Sequence, residues 1–168
     1  LPLHHGTGLK RRWALVADHD PRHRNAVCHQ GLPVRSGSRR RFLADLDEAC
    51  RQIAAQDKAG QAWSREKGYR GYTSYASLDD LTRRDSLFDD LKRRLAKHAA
   101  AFAKDLHLDL GGRRLKLDSL WINILKPGGM HSGHIHPNSV LSGTLYVTVP
   151  DGAGSLRLED PRLPMMMA

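Results

Sequence analysis

With 168 residues, 40% hydrophobic and 27% charged, the chain can build one domain with a real core but has little room for two. No apolar run approaches the ~18 residues of a membrane span and the amino end has no signal-peptide core, which predicts a cytoplasmic protein with no membrane partner; two cysteines, Cys28 and Cys50, exclude a disulfide framework. The net charge of +9 would suit nucleic acid, yet residues 1–41 hold nine Lys and Arg against Asp18 and Asp20 alone, which leaves +2 for the rest of the chain.

The basicity therefore belongs to the leading segment, and nucleic acid is not the expected partner of the folded body. Residues 1–38 hold five of the ten histidines and show no sustained period. They read as a basic, flexible leader, followed by one structured region over 39–168. From 39 to 59, Phe42, Leu43, Leu46, Ala49, Ile53 and Ala54 recur at helical spacing, and Gly60 fits the end of that helix. The stretch from Lys67 to Tyr75 is glycine-rich and aromatic and reads as an extended loop, with Ser77 capping a short turn through Leu81.

A second helix is predicted over 86–106, opened by a capping pair of Ser86 and Asp89. Leu87, Phe88, Leu91, Leu95, Ala99 and Phe102 form its apolar stripe, and His98 reads as a flank residue. Gly111-Gly112 breaks the pattern, and strands are expected beyond it. Leu115 and Leu117 alternate with charges, and Leu120 to Leu125 reads as a buried strand ended by Pro127-Gly128-Gly129. Further strands are predicted from Gly143 to Val149 and from Ser155 to Glu159, either side of a turn at Pro150-Asp151-Gly152. Helices first and antiparallel strands after make an α+β order.

Between two of these strands lie three histidines within six residues, His131, His134 and His136, set among Gly128, Gly129, Gly133 and Pro137. Imidazole is a common ligand for transition metals. On an extended backbone a His-x-His pair sends both rings to one face, so His134 and His136 are the candidate metal ligands. With an oxygen or a third nitrogen from elsewhere they would suit Fe(II), Zn, Cu or Ni.

From about Gly71 onward the chain resembles the 2-oxoglutarate/Fe(II)-dependent oxygenases, in a branch that is itself largely uncharacterised. The resemblance rests on Gly71-Tyr72-Thr73-Ser74-Tyr75, Trp121-Ile122-Asn123-Ile124, His134-Ile135-His136-Pro137-Asn138-Ser139, Leu141-Ser142-Gly143-Thr144-Leu145-Tyr146-Val147 and Asp160-Pro161-Arg162. It implies a double-stranded β-helix, a jelly-roll whose mouth holds iron, with helices packed outside. It also implies Fe(II) and the small-molecule cosubstrate 2-oxoglutarate as cofactors, and hydroxylation of an unactivated C–H bond in a substrate the sequence does not identify. His134 takes the place of the first ligand. His136 stands where most of these oxygenases have aspartate, so the pair lacks the anionic ligand of the usual facial triad. Tyr146 matches a position that points at the cosubstrate carboxylates, Asn123 is a second cosubstrate candidate, His131 is a neighbour and Trp121 a packing residue.

Two elements that the family draws from its last strands, a distal histidine and a basic anchor for 2-oxoglutarate, have no match. No histidine follows His136, and Arg157 and Arg162, the only cations after it, sit too early. The expectation is an incomplete jelly-roll, with Met165-Met166-Met167 uncovered at its end and unpaired edge strands that a homo-oligomer would cover. Two other readings compete. A cupin-type metal protein fits Gly128 followed by His134-Ile135-His136 but lacks the later glutamate, Val140 and Leu141 standing in its place. A nucleic-acid-binding protein acting through residues 10–41 would show steeply salt-dependent affinity.

Overall fold

The computed structural model describes residues 13–17, 27–30, 36–134, 136 and 139–158. The chain divides into two compact units, one from Leu1–Gly31 with His136–Ala168 and one from Leu32–Ile135.

The second unit is mainly helical. Helix α1 spans Ser36–Gln56, and its apolar period buries Phe42, Leu43, Leu46 and Ala49 on one face. Helix α4 spans Ser86–Asp105 and contributes Phe88, Leu91, Phe102 and Ala103 to the same core. The Arg94 guanidinium lies 4.4 Å from the centre of the Phe42 ring, a cation–π contact between α1 and α4. The cap of α4 is Asp85 and not Ser86: Leu87 N–H donates to Asp85 Oδ1 at 2.8 Å. His98 is buried within α4 rather than lying on its flank.

Gly60 does not end α1. Asp57 turns the chain, and its Oδ1 accepts from Gly60 N–H at 2.9 Å, which caps a further helix, α2, over Lys58–Glu66. Gly60 is buried in the first turn of α2 because a Cβ there would collide with Asp57 Oδ2, Ser77 Oγ and the Thr73 carbonyl. Ser77, read as a cap, instead donates to Asp57 Oδ2 at 2.5 Å. The short helix α3, Leu81–Arg84, has Asp80 as its first flanking residue.

Strands β3, Gly71–Thr73, and β4, Asn123–Leu125, pair antiparallel, with Gly71 opposite Leu125, Tyr72 opposite Ile124 and Thr73 opposite Asn123. Gly71 allows the close approach, since a Cβ would run into the Ile124 carbonyl. One step beyond the ladder the fully buried Ser74 extends the junction. Its N–H donates to the Ile122 carbonyl at 3.0 Å and its Oγ accepts from Ile122 N–H at 3.0 Å. Ser64 Oγ accepts from Thr73 N–H at 3.1 Å and so ties α2 to β3.

In the first unit, strand β1, Trp13–Ala17, lies between β2, Val27–Gln30, and β5, Leu141–Leu145, in a three-stranded antiparallel sheet. Both β1 and β2 fall inside residues 1–38, where the sequence shows no period. Leu115–Leu117 and Leu120–Ile122 are not strands, β5 begins two residues before the predicted Gly143 and stops at Leu145, and residues 155–158 form no strand. Glu159, the end of that predicted strand, and the terminal methionines lie outside the described residues. The class is α+β, helices with small sheets, and the strands among the described residues do not by themselves make a jelly-roll.

Candidate functional site

The approach to the histidines is a tight turn dictated by sequence. Gly129 N–H donates to the Lys126 carbonyl at 2.8 Å, with Pro127 and Gly128 between them and Gly128 at φ 72°. Proline followed by a left-handed glycine is the type II arrangement, because only the second central position needs positive φ. The turn is fastened to the body where Lys126 N–H donates to the Arg70 carbonyl at 3.1 Å. A Cβ on Gly129 would strike that same carbonyl.

Past the turn the chain runs through Met130, 74% exposed, to His131. The Nε2 of His131 and the hydroxyl of Tyr69 are hydrogen-bonded at 2.8 Å, with ring centres 5.2 Å apart. Burial pushes the Tyr69 phenol up to about 12, so it stays a neutral hydroxyl at neutral pH. Burial, and then the neighbouring His134, pull the His131 imidazolium below its usual range. The rings of His131 and His134 are 6.3 Å apart. His134 Nδ1 lies 2.8 Å from the Ser132 carbonyl. A carbonyl only accepts, so Nδ1 carries the proton, and in the neutral ring the lone pair sits on Nε2, the arrangement typical of a metal-ligating histidine.

The other predicted residues are placed as follows. His136 is half-buried and belongs to the first unit, and its carbonyl accepts from Ser139 N–H at 3.1 Å. Tyr146, immediately after β5, is half-buried, and burial raises its phenol. Asn123 opens β4 and is exposed at the surface. With its amide oriented to satisfy its neighbours, Nδ2 donates to Thr73 Oγ1 at 2.7 Å and Oδ1 accepts from Trp121 Nε1 at 3.1 Å.

Two features escaped the sequence reading. Tyr69 reaches the histidine loop from a segment 62 positions away, and only its place in an aromatic, glycine-rich stretch hinted at a role. Tyr75, 63% exposed, stands edge-on to Trp121 at 5.4 Å and tilted to Trp63 at 6.3 Å.

Neutral imidazole nitrogen is a donor that suits Fe(II) and its neighbours in the first transition series. The His134 bond to the Ser132 carbonyl leaves Nε2 as the nitrogen that carries the lone pair in the neutral ring. No group of three His, Cys, Asp or Glu side chains able to hold a metal is assembled among the described residues, so no anionic donor joins the histidines there. The residues present therefore fit the metal in donor type.

Residues 119–168 match the sequence model of a family described as "Putative 2OG-Fe(II) oxygenase". The match takes in β4, the turn, the histidine loop and β5, and covers less than half of the chain. No curated protein matches it.

Proposed function

We propose that residues 119–168 belong to a 2-oxoglutarate- and Fe(II)-dependent dioxygenase domain of jelly-roll type that hydroxylates a substrate in the cytoplasm. The observation that carries this reading is the family match over the segment holding all three loop histidines. The Nδ1–H of His134, committed to the Ser132 carbonyl, supports it further. When bound, Fe(II) and 2-oxoglutarate would activate O2, the oxidant, one oxygen atom ending in succinate with release of CO2 and the other in the hydroxylated C–H bond, while the protein supplies ligation, orientation and exclusion of water.

In this reading His134, through Nε2, and His136 are the protein's nitrogen ligands. With imidazole in the usual place of a carboxylate, the cosubstrate's own carboxylates carry more of the burden of offsetting the metal charge. Tyr146 offers a phenolic hydroxyl to those carboxylates. Asn123 on β4 is the weaker cosubstrate candidate in this reading, because its amide nitrogen donates to Thr73 Oγ1 and the Ile122 carbonyl and its oxygen accepts from Trp121 Nε1. Self-association through uncovered strand edges is part of the same proposal.

The test is Fe(II)- and 2-oxoglutarate-dependent succinate formation, measured with a substrate panel for this chain and for a product extended past Ala168. Succinate that requires both additions is the expected result. If neither protein forms it, the dioxygenase reading fails.

A further inference from the structure

We infer that Tyr69 is a positioning residue for the histidine loop: its hydroxyl, paired with His131 Nε2, fixes the His131 ring and, across Ser132-Gly133, the ring of His134. The inference rests on the reading of His134 as a metal ligand and adds to it the group that holds the ligand's loop in place.

Tyr69 is itself well anchored. Its N–H donates to the Ser64 carbonyl at 2.8 Å and its carbonyl accepts from Gly71 N–H at 2.8 Å. The first bond ties it to the end of α2, and the second bond leads directly into β3. The phenol is half-buried, so the hydroxyl projects from a fixed base. The loop has the opposite character. It is fastened through its backbone at the Lys126–Gly129 turn, but Ser132, Gly133 and His134 are exposed, and among the described residues nothing lies within 4 Å of where a Gly133 Cβ would sit.

A glycine in open space leaves the chain free to rotate unless a neighbouring side chain is held. The bond between Tyr69 and His131, at 2.8 Å, is such a hold, and it falls three positions before His134. The 6.3 Å between the His131 and His134 rings is short enough for the orientation of one to restrict the other. Outer partners that orient metal-ligating histidines carry a substantial share of metal affinity. Tyr69 acts one step further out, through His131.

The experiment uses the full chain, its Tyr69→Phe variant, which keeps the ring and removes only the hydroxyl, and His131→Ala. Two quantities are measured: the imidazole 15N resonances of the metal-free proteins, and Co(II) affinity from visible absorption. In the wild type His131 should show a single tautomer and in Tyr69→Phe an averaged one, with Co(II) binding weakened about tenfold. His131→Ala should weaken Co(II) by a similar factor, and the double variant by no more than either single one. Unchanged ring resonances or unchanged affinity in Tyr69→Phe would overturn the inference, as would complete loss of Co(II) binding in His131→Ala alone, which would make His131 a ligand. If the wild type takes up no Co(II), the metal reading fails separately, and the ring resonances of His131 and His134 alone decide the role of Tyr69. Should Tyr69→Phe not fold, His131→Ala decides by the same criteria through its His134 resonances.

Discussion

Asp57 carries the interaction between its own helix cap and the β3 segment on one carboxylate. It accepts from Gly60 N–H at 2.9 Å, from the Tyr72 hydroxyl at 2.8 Å and from Ser77 Oγ at 2.5 Å. Burial pushes its pKa up, but the bonds from Ser77, Gly60 and Tyr72 together outweigh burial and hold the carboxyl below the usual range. A carboxylate depressed in the folded state contributes stability that is present above its unfolded pKa, about 3.9, and is lost as pH falls through the folded value. His98 has its imidazolium destabilised by burial, and its contribution is present above about pH 6.5 and fades as pH falls through its lowered folded value. Two losses of stability on acidification are therefore expected, one beginning below about pH 6.5 and a second below about pH 4. Urea titrations across that range should resolve them, with Asp57→Asn reducing the second, to which the depressed Asp80 and Asp90 carboxyls also contribute; a stability flat from pH 7 to pH 5 would contradict the assignment for His98. The burial of His98 was legible in its spacing. It lies seven residues after Leu91 and four before Phe102, on the buried stripe of α4, and only its polar side chain argued for the flank. The tether at Tyr69 was not legible, because nothing local in the sequence links position 69 to position 131.

At the scale of elements, the two long helices follow from their apolar period, and α1 and α4 fall within a few residues of the expected bounds. Helix α2 was hidden for a physical reason. It has nine residues, is interrupted by glycine, and depends on a cap whose second oxygen is occupied by groups from the β3 region. Gly60 is the position where helix propensity and packing oppose each other. Alanine would gain about 1 kcal/mol from propensity, but its methyl would press on the Thr73 carbonyl, Ser77 Oγ and Asp57, and such overpacking costs about 1–3 kcal/mol. The collision includes backbone that cannot rotate away, so packing wins. Gly60→Ala should lower the Tm followed by circular dichroism, whereas an equal or higher Tm would mean that the α2–β3 junction is looser than described. The strands were read less well. Apolar runs such as Leu120 to Leu125 fit a strand or a buried segment equally, and here only Asn123–Leu125 enters a ladder.

For the whole molecule, the long-range pairing was the hardest feature to foresee. Strand β1 lies beside β5, at opposite ends of the chain, and such pairing leaves no trace in local periodicity. The α+β class was legible from the two helical periods and the apolar runs after Gly112, but the expected order of helices first and strands after was not met, since β1 and β2 precede the helices and β3 lies among them. The candidate site was legible as a cluster of histidines in sequence, while its supports came from folding: the turn fastened to Arg70, the Tyr69 bond and the tautomer of His134. The central claim, that His134 and His136 bind Fe(II) together with 2-oxoglutarate, is tested most directly by anaerobic titration of the chain with both. A chelated 2-oxoglutarate gives Fe(II) a visible charge-transfer band, and its intensity reports the ternary complex without any need for a substrate. The band should appear in the wild type and be absent from His134→Ala and His136→Ala. No band in the wild type, or an undiminished band in both variants, would contradict the claim.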